Sequence, residues 1–172
     1  MDGVLIRALE AGMEMEKRGE AFYSKAAGEV ENPHGKLTLN FLAGEERQHY
    51  RFLEALLESV KKGLRPEAPP LPKRPRLKRE EILEAMRQMG VKARAARRDR
   101  EIVGEAMKVE EKSIEFYEGF LGEAGDAKSR EIFKELVEEE RRHLEWLEFI
   151  RDALEVHGYW YDLESYFALE GF

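Results

Sequence analysis

The sequence predicts an all-α protein, a four-helix bundle built from two helical hairpins joined by a long crossover. Three observations predict it. Apolar residues recur at helical steps of three, four and seven along most of the 172 residues. A stretch holding five prolines divides the chain into two helical halves. Each half then carries the same polar residues in the same order. These are Glu16, Tyr23, Glu45, Glu46, Arg47 and His49 in the first half, and Glu110, Tyr117, Glu139, Glu140, Arg141 and His143 in the second, every pair 94 positions apart.

The first helix is expected from about residue 2 to about residue 28, with Asp2 as its N-cap and Leu5, Leu9, Met13, Glu16, Tyr23 and Ala27 on one stripe. Glu16 stands where a core residue belongs. Pro33 and Gly35 disfavour helix, so residues 31–35 read as a short turn. The second helix carries Leu39, Leu42, Glu46, His49, Leu53 and Leu56 on its stripe and ends near Gly63. Residues 63–79 contain the five prolines and read as an extended crossover. A short helical segment at about 80–98 follows, amphipathic at first and basic towards its end, and Asp99 is a candidate cap for what comes next. The third helix has Val103, Met107, Glu110, Tyr117 and Phe120 or Leu121 on its stripe and stops near Gly125. The fourth carries Leu136, Glu140, His143, Leu147, Ile150 and Leu154. Residues 1–156 thus form the bundle, and the aromatic segment 157–172 is expected to pack on it or on a partner subunit.

The repeated polar residues interrupt apolar faces, and their spacing carries the chemistry. Residues three or four apart in an α-helix share a face, so Glu46 projects with His49 and Glu140 with His143. Glu16 and Glu110 add one carboxylate from each remaining helix, and each tyrosine lies two turns further along the same stripe. Four carboxylates in a bundle core repel one another. At about 4 Å and an effective dielectric of about 20, one like-charge pair costs roughly 4 kcal/mol. Two divalent cations would neutralise the four negative charges and leave both imidazoles uncharged. Oxygen and imidazole donors suit iron or manganese, with zinc also compatible by ligand type.

Composition narrows the classes further. Cysteine is absent from the 172 residues, which excludes disulfides, thiolate zinc sites and cysteine nucleophiles among them. The net charge of −7 argues against a general nucleic-acid binder, and the basic stretches at 73–79 and 92–100 lack interleaved aromatics. They read as solvated faces or as partners of the acidic helices. No apolar run approaches the length of a membrane span and no signal-peptide pattern opens the chain, so a cytoplasmic location without a membrane partner is expected.

The segments EKRGEAFY with EERQH, and EEKSIEFY with EERRH, resemble those of rubrerythrins, members of the ferritin-like superfamily, over roughly residues 5–60 and 100–155. The resemblance implies a ferritin-like bundle with Glu16 and Glu110 as terminal carboxylates, Glu46 and Glu140 as bridging carboxylates, and His49 and His143 as terminal nitrogen ligands. It makes Tyr23 and Tyr117 hydrogen-bond donors to ligand carboxylates, although both would also serve as plain core aromatics. Rubrerythrins commonly add a rubredoxin domain, whose four cysteines find no counterpart here, and often carry a redox-switching glutamate one turn after the terminal one. Ser113 occupies that position.

What the resemblance implies for activity is a dimetal, di-iron oxidoreductase that reduces hydrogen peroxide with electrons from an external donor, as a homodimer. A ferroxidase that consumes dioxygen and a non-catalytic interaction bundle are the alternatives. The chain supplies its own control on the motif: Glu31 and His34 share the Glu-x-x-His spacing but flank Pro33 in an expected turn. Glu45 and Glu139 are expected to be solvated neighbours, as are Glu14, Glu111 and Glu115, with Glu20 the exception to watch. Arg47 and Arg141 are expected to pair with surface carboxylates. His157 reads as structural.

Overall fold

A computed structural model describes residues 2–65, 67–72, 97–124 and 126–156, together with Gly158 and Trp160. The expectations for residues 73–96, for His157 and for most of the aromatic segment lie outside these. The described residues form four long helices without a strand: α1 (Asp2–Glu29), α2 (Pro33–Lys61), α3 (Arg97–Glu123) and α4 (Ala127–Val156). Helix α1 packs along α2 and α3 along α4, and α1 meets α3 between the hairpins. This is the all-α, ferritin-like four-helix bundle.

Local chemistry sets the helix ends. Asn32 caps α2 through its side-chain oxygen, which accepts from the backbone N–H of His34 at 2.9 Å and of Gly35 at 3.3 Å. The turn is therefore shorter than the expected 31–35. Pro33 opens α2, because the first turn of a helix does not need the N–H that proline lacks. Gly63, with φ of 70°, ends the same helix in the left-handed conformation usual after a C-cap. Asp126 precedes α4 and accepts from the Ser129 backbone N–H at 2.9 Å and its hydroxyl at 2.7 Å.

Asp99 departs from its expected role. Helix α3 already begins at Arg97, so Asp99 lies within the first turn, where it is buried and accepts the Trp160 indole N–H at 2.8 Å. Trp160 is itself buried, against Gly35 and Val30, and a side chain at Gly35 would come within 2.7 Å of the indole. The basic start of α3 forms ion pairs, as Arg98 reaches Glu29 on α1 and Glu105 on its own helix. Those contacts raise the Arg98 guanidinium above its ordinary range, the Glu29 partner contributing most.

Two apolar clusters fill the bundle. One gathers Tyr23, Val30, Leu39, Leu42, Val103, Trp146, Ile150, Leu154 and Trp160. The other gathers Leu9, Leu53, Leu56, Leu71, Tyr117, Phe133 and Leu136, so the crossover contributes Leu71 to the core. Along every helix the residues of the two clusters are separated by the repeated glutamates and histidines. The polar layer is thus walled by apolar packing above and below.

Candidate metal centre

Each helix delivers its polar residues to one level of the bundle. Glu16 comes from α1, Glu46 and His49 from α2, Glu110 from α3, and Glu140 and His143 from α4. None is more than 2% exposed, so the group has no direct solvation. Their donor atoms fall into two overlapping sets, each within 4.8 Å: Glu16, Glu46, His49 and Glu140 in one, and Glu46, Glu110, Glu140 and His143 in the other. Glu46 and Glu140 belong to both.

The halves exchange partners across the bundle. His49 Nδ1 lies 3.0 Å from Glu140 Oε1 and 3.5 Å from Glu16 Oε2, so it faces the glutamate of the other hairpin as well as its own. His143 Nδ1 is 3.3 Å from Glu46 Oε1, 3.6 Å from Glu140 Oε2 and 3.7 Å from Glu110 Oε2. The imidazole rings stack with centroids 5.2 Å apart and planes 11° from parallel. The Tyr23 hydroxyl donates to Glu110, and that of Tyr117 to Glu16. Each tyrosine therefore holds the glutamate of the opposite half, a crossing that no spacing within one helix reveals.

Electrostatics shows how uncomfortable this group is without cations. Burial, then the carboxylates of Glu140, Glu110 and Glu16, push Glu46 well above the ordinary carboxyl range. Burial also raises Glu110, to about 7 despite the opposing influence of His143. Burial works on Glu140 in the same direction, yet the two imidazoles overcome it and hold this carboxyl below its ordinary value. Burial alone would lower both histidines; the surrounding carboxylates raise them well above it instead. Burial followed by the nearby carboxylates keeps both tyrosines protonated, as donors must be.

The unsatisfied atoms point to what fits. Glu16 Oε2, Glu46 Oε1, Glu110 Oε2, both oxygens of Glu140 and the Nδ1 of both histidines are buried without a hydrogen-bond partner. Buried polar atoms are rarely left so, because each forfeits its hydration. Seven orphaned lone-pair donors at one level, two of their residues shared between two sets, match the needs of two adjacent divalent cations.

Two glutamates behave differently from expectation. Glu45 and Glu139 are buried, not solvated. Glu45 accepts from the Gln48 side chain at 2.7 Å, and Glu139 pairs with Arg142. The signal was present in the sequence, since Thr38, Leu42, Glu45, His49 and Phe52 run at steps of three and four, as do Leu136, Glu139, His143 and Trp146. Each stripe is wide enough to bury both members of the Glu-Glu pair. Arg47 does pair at the surface, with Glu20 at 2.7 Å, and Arg141 with Glu118 at 2.5 Å. Glu20 is thus engaged by Arg47 and does not reach the cluster.

A four-helix bundle with carboxylates and imidazoles buried at one level defines the class of dimetal carboxylate proteins. The chain belongs to the rubrerythrin family, whose family model matches residues 7–151. Neither curated proteins nor solved structures gave a match to it. No helix among the described residues is long and apolar enough to cross a membrane.

Proposed function

We propose that this protein is a di-iron oxidoreductase that reduces hydrogen peroxide with electrons from an external donor. The observation that supports it most is the pair of overlapping donor sets sharing Glu46 and Glu140. In this reading Glu46 and Glu140 would be shared between two metal ions, with Glu16 and His49 holding one and Glu110 and His143 holding the other. Bound there, a pair of ferrous ions supplies the two electrons that, with two protons, convert peroxide to two waters. Manganese or zinc would fit the same donors.

The chain's own residues prepare the site for this. The apolar clusters on either side exclude bulk water, which strengthens the electrostatic contacts inside. Tyr23 and Tyr117 fix the rotamers of Glu110 and Glu16, leaving one oxygen of each free to face the centre. With no cysteine among these 172 residues, none of them can hold a thiolate-ligated iron centre, and the electron donor in this reading is an external one. We place the bundle at residues 1–156, with the aromatic segment packed on it or on a second copy in a cytoplasmic homodimer. Trp160, seated in the core of the bundle, supports packing of that segment on the bundle itself.

The test is anaerobic loading with ferrous iron followed by rapid mixing with hydrogen peroxide or with air-saturated buffer. Oxidation much faster with peroxide is the expected result. Oxidation much faster with dioxygen would replace the peroxidase with a ferroxidase.

A further inference from the structure

The repeat that relates the two halves breaks beside the cluster. Gly19 lies one turn after Glu16, and its counterpart 94 positions later, one turn after Glu110, is Ser113. Both are buried. A Cβ at position 19 would stand 2.5 Å from Glu46 Oε2, 3.1 Å from Glu46 Cδ and 3.3 Å from Glu46 Cγ, and these are its three nearest neighbours. The missing side chain of Gly19 is the space in which the Glu46 carboxylate sits.

We infer that Gly19 is a positioning residue for the metal centre, its lack of a side chain being what allows Glu46 to lie between the two metal positions. This rests on the dimetal reading above. Real Cβ atoms essentially never approach a neighbour closer than 3.0 Å, so any side chain at 19 drives Glu46 Oε2 back by at least about 0.5 Å. Metal–ligand distances tolerate only about 0.2 Å. Because Glu46 belongs to both donor sets, the displacement reaches both metal positions.

The fold has no comparable need for glycine here. The atoms in the way belong to the far end of a flexible side chain, not to backbone, so the metal-free protein accommodates alanine by turning Glu46. Alanine is also the better helix former, and position 19 is mid-helix in α1. Gly12 differs, since a Cβ there would crowd Leu53 at 3.1 Å and the Tyr117 hydroxyl at 3.3 Å. Gly44 is a clean control, with nothing within 4 Å of an added Cβ.

The experiment compares wild type, Gly19→Ala and Gly44→Ala, each stripped of metal and then titrated with manganese(II) against a competing chelator, with thermal unfolding of the metal-free forms. Expected are two manganese ions per chain in wild type and Gly44→Ala. For Gly19→Ala, binding should be about tenfold to a hundredfold weaker, while its metal-free form melts no lower than wild type. Wild-type manganese affinity in Gly19→Ala would overturn the inference alone. So would a metal-free Gly19→Ala that melts lower or does not fold, because the glycine would then serve packing. Fewer than two ions in wild type would overturn the dimetal reading and the inference with it.

Discussion

Raising the pH of the metal-free protein from about 5 to about 7.5 should weaken it, although many proteins are near their most stable in that range. The perturbation acts on the buried cluster. Glu110 keeps its proton in the folded protein up to about 7, whereas in the unfolded chain it releases it near 4.5. Between those values the native state binds the extra proton, so its stabilising effect is present below the lower value and is lost as pH rises through the upper one. At about 1.4 kcal/mol per pH unit, Glu110 alone contributes roughly 3 kcal/mol over the window. Glu46, raised for the same reason, and the two raised histidines add in the same direction. Glu140, Glu29 and Asp126 are held low and exert their effect only below the ordinary carboxyl range, outside the window. Denaturant unfolding of chelator-stripped protein at both pH values, at constant ionic strength, measures the difference. Glu110→Gln should flatten the slope, and metal loading should reverse it, because metal ions displace those protons. Stability that is level or rising with pH in the stripped wild type would refute the electrostatic reasoning.

Removal of a shared ligand should be more costly to metal binding than removal of its neighbour. Glu140→Ala is expected to abolish or greatly weaken loading measured by metal analysis, whereas Glu139→Ala keeps its metal and loses only the stability that its ion pair with Arg142 contributes; the opposite pattern would mean that Glu139 is the ligand. Tyr117→Phe removes a hydrogen bond to the buried Glu16 carboxylate and should cost about 1.5–3 kcal/mol in unfolding experiments, with a smaller penalty in the metal-loaded form. Trp160→Ala should destabilise by about 3–5 kcal/mol, because the indole is buried and holds Asp99; a change below about 1 kcal/mol by chemical denaturation would show that this residue is not part of the core.

The fold was legible because long helices announce themselves by periodicity, and because a duplicated polar set on apolar stripes has few uses other than a shared site. The helix boundaries were less legible. Pro33 reads as a breaker until Asn32 is seen capping the turn before it, since proline disrupts helix interiors and not first turns. Asp99 looked like a cap by residue type, but its partner is Trp160, 61 positions away, and sequence carries no trace of such a distant pairing. The crossed contacts between Tyr23 and Glu110 and between Tyr117 and Glu16 were hidden for the same reason. Glu45 and Glu139 are a different case. Their stripe was visible, but a glutamate is so seldom buried that residue type outweighed position. Gly19 was invisible as well, because a glycine in a helix shows its purpose only when the neighbour occupying its space is known.

Glu16, Glu46, His49, Glu110, Glu140 and His143 are proposed to hold two metal ions between them. Anaerobic loading with ferrous iron, removal of loose metal and elemental analysis against protein concentration test it most directly. Two iron ions per chain are expected in the wild type, with loading lost or greatly weakened in Glu140→Ala. Less than one per chain in the wild type, after careful loading, would contradict it.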